Sequence, residues 1–302
     1  MHDFTGELAS LGTSVCFSFA SVLFTMAGRQ VGSQVVNRLR LLLATLMIFV
    51  LHMVLLGRAL PQIDSTPAFW LALSGLVGLV IGDAFLMQAF VMVGPRLSML
   101  MMATAPIWSI VLAFIFFGEV LQPQELIGTA LTLAGLALVV TDGRGRPLLE
   151  TGGTDKRTYV IGLLCGLGGA LGQAGGSVLS KAGLVNDLSP ISAALIRLST
   201  AAVAMWIITI VIGQFGKTIT TLRAHPRAVG QVGGASVLGP VLGVSLLLVG
   251  LQRAPVGIAT TLSSLMPIFL IPISYVVFKE KTSRQAVIGT LIAIVGTVVL
   301  FT

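Results

Sequence analysis

The chain has 302 residues, 55% of them hydrophobic and only 10% charged, with a mean hydropathy of +1.00 and a net charge of +7. A soluble domain carries about 25% charged residues, so this chain lacks the polar side chains to cover a globular surface. The basic excess does not read as a nucleic-acid footprint: Lys and Arg fall between apolar runs, where they orient helices, and no basic cluster is interleaved with aromatics.

In chain order, the N-terminal MHDFTGE has no Lys or Arg before the first apolar run. It therefore lacks a signal-peptide n-region, and the first span is expected to stay in the protein. Runs of eighteen or more residues without charge follow at 8–28, 97–118, 158–180, 198–216, 228–252 and 254–278. A helix needs about 20 apolar residues to cross the hydrocarbon core, and unbroken apolar runs there mean helices. The chain reads as an all-α polytopic membrane protein of ten spans, roughly 5–27, 34–56, 68–92, 96–117, 122–141, 158–181, 190–212, 228–251, 256–278 and 284–301. The one long hydrophilic break, TDGRGRPLLETGGTDKR, is rich in Gly and charge and reads as a linker. This divides the chain into a first five-helix repeat (1–141), a linker (142–157) and a second five-helix repeat (158–302). The two cysteines, Cys16 and Cys165, fall inside spans; neither a disulfide framework nor a metal-ligand spacing is present.

The halves echo each other. PIWSIVLAFIFFGEVLQPQELIGTALTLAG (106–135) and PIFLIPISYVVFKEKTSRQAVIGTLIAIVG (267–296) agree at ten of thirty positions, among them Pro106/Pro267, Glu119/Glu280 and Gly128/Gly289. Arg40-Leu41 pairs with Arg197-Leu198, and Ser21-Val22-Leu23 with Ser177-Val178-Leu179. Because five is odd, the second half enters the membrane from the opposite side. That is an inverted repeat, the arrangement that supports alternating access around a central cavity. Fourteen of the eighteen Lys and Arg residues fall on one side, and the termini on the other; the positive-inside rule then places both termini outside. Small residues let helices approach closely: Gly75, Gly78 and Gly82 share one face of the third span, and Gly172, Gly175 and Gly176 recur in the sixth. Pro106, Pro240, Pro267 and Pro272 interrupt spans and free carbonyls near mid-depth.

The repeated element, P…FGE…QELIGTALTLAG and P…FKE…RQAVIGTLIAIVG, resembles the EamA-type module of the drug/metabolite transporter superfamily, and the likeness extends over nearly the whole chain. It implies a ten-helix transporter whose cavity is lined by the first four helices of each half, with the fifth and tenth at the periphery. Many members have cytoplasmic termini and a basic loop after the second span; here 57–67 carries only Arg58 as a basic residue, so the charge count and that family pattern disagree. Members move amino acids, sugars, nucleotide-linked metabolites or cationic drugs.

Asp83 is the one acidic residue placed well inside an apolar span. A carboxylate there is by default a functional candidate, for proton coupling or cation binding, set against a structural hydrogen-bonded Asp. Its echo position, near Gly243, holds no acid. Glu119 and Glu280 sit at helix ends and fit end-capping better than substrate contact. Arg40 and Arg197 are repeat mates near span starts, read either as snorkelling cations or as a gate or a carboxylate contact. Gln88, Gln173, Ser177, Ser263 and Ser264 could bond substrate or join helices, Trp108 and Tyr275 could form an aromatic wall, and His52 reads as interfacial.

The reading is a secondary transporter of small metabolites, an exporter with amino acids as the leading substrate class and protons as a candidate coupling ion. It needs no cofactor or metal, works in a bacterial inner membrane as a monomer or homodimer, and binds no nucleic acid. A GxxxxGK[ST] segment is absent, so ATP does not drive it directly. An intramembrane enzyme would need clustered acids or His, a channel a repeated filter; these and a scaffold are the alternatives.

Overall fold

The computed structural model describes residues 4–141, 156–185, 188–266, 268–269, 272–273 and 283–300. Tyr275, Glu280, Pro267 and nearly all of the linker lie outside these residues. The described chain is helical: α1 Thr5–Val31, α2 Ser33–Leu56, α3 Ser65–Ser74, α4 Asp83–Met102, α5 Ala105–Phe117, α6 Pro123–Val140, α7 Lys156–Gly183, α8 Pro190–Val211, α9 Phe215–Ala224, α10 Pro226–Ser236, α11 Val244–Arg253, α12 Val256–Ser263 and α13 Arg284–Leu300. Prolines open α5, α6, α8 and α10, where the missing N–H is no loss. Gly57 and Gly118, at φ +64 and +65, end α2 and α5 in the left-handed conformation that a side chain would resist.

Among the described residues seven helices are long and apolar enough to cross a membrane, and Ala105–Phe117 and Arg284–Leu300 are shorter apolar helices. Large apolar side chains face outward along them: Val54, Ile115, Val203 and Val211 are each at least 60% exposed, which fits lipid as the surrounding solvent. Inside, Leu41 and Ile48 of α2 pack with Leu71, with Leu198 of α8 and with Leu248 and Leu251 of α11.

The backbone irregularities come in repeat-related pairs. α3 runs into α4 through a π-helical segment, Gly75–Gly82, and α10 runs into α11 through another, Val237–Gly243. α4 and α5 are separated by a tight turn in which the Thr104 N–H bonds the Met101 carbonyl and the Ile107 N–H the Thr104 carbonyl; after α12, Leu265 bonds Leu262 and Ile268 bonds Leu265 at the matching positions. These are the breaks that the repeated prolines predict.

The chain also reverses within α4. A Cβ on Gly166 would lie 2.9 Å from the Met101 Cβ and 3.8 Å from the Ala89 Cβ, so those two atoms are within about 7 Å of each other. Twelve residues of straight helix span about 18 Å, so the chain doubles back between them.

The packing crosses between halves. α1 runs antiparallel to the α10–α11 helix, with Gly6 against Ala254, Gly250 against Ser10 and Gly239 against Ala20. α7 does the same along α3–α4, with Gly183 against Leu71, Gly176 against Gly78 and Gly172 against Gly82. Glycine on both sides of these contacts lets backbones approach where lipid supplies no hydrophobic drive. The repeat mates α6 and α13 pack on each other, Gly128 against Leu300 and Gly135 against Ala293, so they too run in opposite directions. Hydroxyls of α1 reach the carbonyls released by the broken helices: Thr13 donates to the Gly243 carbonyl (3.2 Å) and Ser18 to the Met266 carbonyl (2.9 Å).

Candidate functional site

Asp83 is the first residue after the Gly75–Gly82 segment, so the wide turns of that segment set where its carboxylate points. π-helical turns recur at functional sites because they re-aim side chains. The carboxylate Oδ2 pairs with Arg40 Nη2 from α2. Arg40 is held in turn: its Nε donates to Asn37 Oδ1 at 2.7 Å, and its guanidinium lies 5.9 Å from the centre of the Phe24 ring on α1. The pair thus joins the first three spans of one half. Its side chains remain 19% and 15% exposed. Arg40 does not snorkel to a headgroup; it turns inward. Sequence inspection singled out both residues but not their pairing, because the residues lie on separate spans 43 positions apart. Asn37, one turn before Arg40, was the available signal.

Arg197 of α8 behaves differently from its mate. It is 3% exposed, and its Nε and Nη1 have no hydrogen-bond partner among the described residues. A Cβ on Gly78 would lie 3.5 Å from Arg197 Nη2 and 3.6 Å from Gln173 Oε1, so the guanidinium sits in the seam of α7, α8 and the Gly75–Gly82 segment. Arg38, also buried, donates to Thr218 Oγ1 and Gln214 Oε1, both at 2.7 Å.

A second charged group closes the end of the bundle where the chain starts. Past the Gly118 turn, Glu119 Oε1 pairs with Lys181 Nζ of α7 at 2.5 Å. Its Oε2 accepts the Val256 N–H at 2.9 Å, and Lys181 also donates to the Ala254 carbonyl at 3.2 Å. Glu119 therefore caps a helix, but the helix is α12 of the other half. The next helix, α6, has its own capping box from Gln122 and Glu125. The clasp lies beside Gly6, which abuts Ala254. Lys181 went unremarked in the sequence because it ends a span, where a lone Lys is ordinary. A pocket of about 500 Å³ opens on the same end of α7, lined by Pro61, Gln62, Asp64, Pro67 and Leu188 among others.

The remaining candidates are dispersed. Gln88 is exposed on α4. Ser177 donates to the Gln173 carbonyl and Ser264 to the Thr260 carbonyl within their own helices, whereas Ser263 reaches the Ser10 carbonyl of α1 at 3.3 Å. Trp108 is half-buried, with an indole N–H that finds no partner among the described residues. His52 stands one turn from the end of α2 and is 1% exposed; it lies 2.8 Å from the Arg58 carbonyl through Nδ1 and 3.0 Å from Ser192 Oγ through Nε2, and so ties α2 to α8. A carbonyl can only accept, so Nδ1 carries the proton and Nε2 accepts from the serine. Among the described residues no cluster of three His, Cys, Asp or Glu could hold a metal ion.

The model of the EamA-like transporter family matches residues 4–141 and 160–302, one copy for each half. No curated protein matches the chain. A solved crystal structure of a protein superposes with a TM-score of 0.75 over 97% of this chain and 95% of the other, at 18% sequence identity; at that identity the likeness shows the fold alone.

Proposed function

The chain belongs to the EamA-like transporter family and is a membrane transporter, and on that premise we propose that it is a secondary exporter of small metabolites working by alternating access. Amino acids are the leading substrate class and protons the candidate coupling ion, in a bacterial inner membrane. Among the described residues, seven helices long and apolar enough to cross a membrane, with the shorter apolar helices Ala105–Phe117 and Arg284–Leu300, support a many-span bundle. The antiparallel course of the repeat mates α6 and α13 supports an inverted repeat.

The observation that carries the reading is the Arg40–Asp83 pair, a charge pair in the bundle interior that is still partly exposed. Buried ion pairs are weak devices for stability, and an intramembrane carboxylate is expensive to keep. Such a pair offers a cation to a substrate carboxylate and a carboxylate to a substrate ammonium or a proton. With the termini outside, the Glu119–Lys181 clasp is the outer gate, and this state is closed to the outside.

Counterflow in proteoliposomes tests the proposal. Liposomes loaded with unlabelled amino acids should accumulate labelled amino acid faster than empty ones, with saturation. Flux that neither saturates nor responds to solute on the far side would mark a channel and end the carrier reading.

A further inference from the structure

Two arginines related by the repeat have unequal partners. Arg40 has the carboxylate of Asp83, from the third span of its own half. The position in the second half that matches Asp83 is Gly243, which has no side chain to offer. Arg197 is nonetheless the more deeply buried of the two, with two of its three nitrogens unsatisfied among the described residues. A guanidinium carries five N–H donors and cannot deprotonate in a protein. Burying it unpaired is costly, more so in a bilayer than in a soluble core.

The surroundings make the omission specific. The head group lies against Gly78, which presents backbone only, and the amide oxygen of Gln173 lies against the same glycine. Asp83, the described carboxylate within the neighbouring span, is already engaged by Arg40. The other deeply buried arginine, Arg38, has neutral oxygens on both Nη atoms.

We propose that Arg197 anchors an internal anion site in the seam of α7, α8 and the Gly75–Gly82 segment. It takes one small monoanion, either a halide ion or the carboxylate group of a small organic acid, with Gln173 as the neutral partner. The anion supplies the charge that Gly243 does not, and the glycine wall allows it to approach the guanidinium closely. The site is defined by binding alone and stands whether or not the chain proves to be an exporter.

The test is direct binding to the purified full chain in detergent. Chloride is followed by the broadening of its NMR line, and acetate by saturation transfer from the protein, with acetamide as the neutral isostere. Wild type should broaden chloride saturably, with acetate but not acetamide reversing the effect. Arg197→Met should abolish it, and Arg58→Gln, on the exposed loop after α2, should not. Gln173→Glu places a carboxylate beside the guanidinium; it should fold at least as well as wild type and eliminate the binding, which keeps the test decisive if Arg197→Met does not fold. Arg197-dependent acetate transfer without chloride broadening identifies the organic carboxylate as the ligand; broadening without acetate competition identifies the halide. Signals equal in wild type and Gln173→Glu, or no signal from either probe, would overturn the proposal.

Discussion

Neutralising Glu119 should open the end of the bundle that carries the chain start. In Glu119→Gln the side chain keeps its size and can still accept the Val256 N–H, so the change isolates the charge. The pair it removes is 2.5 Å long, with side chains 21% and 25% exposed. That lies between an exposed pair, worth about 0.2–1 kcal/mol, and a buried charge left without its partner, which costs about 3–5 kcal/mol. A loss of roughly 1–2 kcal/mol from the closed state follows, and as each ~1.4 kcal/mol is tenfold in an equilibrium constant, the open population should rise about tenfold. Ser263 is a suitable reporter, at the far end of α12 and about 10 Å below Val256 at 1.5 Å per residue. In a chain with Cys16→Ala and Cys165→Ala, Ser263→Cys should react about tenfold faster with an impermeant maleimide once Glu119→Gln is added. Lys181→Gln should do the same, and the double variant should be little faster than either, because the two residues share one interaction. Additive effects in that cycle, or an unchanged labelling rate in Glu119→Gln, would refute the clasp as a gate.

Three further outcomes are expected. Asp83→Asn should abolish proton-driven uptake in proteoliposomes while preserving expression and thermal stability within a few degrees; full coupled transport would remove Asp83 from the mechanism. Arg40→Met leaves the Asp83 carboxylate unpaired and should cost about 3–5 kcal/mol, much of it recovered in Arg40→Met with Asp83→Asn, as read by thermal unfolding in detergent. His52→Ala strands the Ser192 hydroxyl and the Arg58 carbonyl and should cost about 1–3 kcal/mol; unchanged unfolding would show that the tie between α2 and α8 carries no weight.

The sequence carried much of this arrangement because membranes simplify the code. An apolar run must be a helix, and a glycine or proline inside it must have a use. Gly75, Gly78 and Gly82 marked a packing face, and that face meets Gly172 and Gly176. The repeated prolines marked the paired turns at 103–104 and 264–265. What stayed illegible was partnership. Nothing local to Glu119 says that its oxygen will cap a helix more than 130 residues away, and a span-end Lys such as Lys181 looks like any other interfacial cation. The partner of His52 was hidden for the same reason: its burial depends on α8, which periodicity in α2 cannot reveal.

The scaffold is duplicated, and so are Arg40/Arg197 and Glu119/Glu280, but the charged partners of Arg40 and Glu119 are not. The π-helical segments, the tight turns before Ile107 and Ile268, and the antiparallel contacts of α1 and α7 all occur twice. Asp83 faces Gly243 across the repeat, and Lys181 corresponds to Thr25. Packing alone would favour keeping both copies alike, since each copy sits in the same kind of contact. Single-copy charges must instead be explained by something the two membrane faces do not share, such as a gate on one side, a site with one orientation, or a substrate with two unlike ends. For an inverted repeat this distinguishes scaffold from mechanism without reference to any relative: where the halves agree, substitutions should act on folding, and where they differ in charge, on transport.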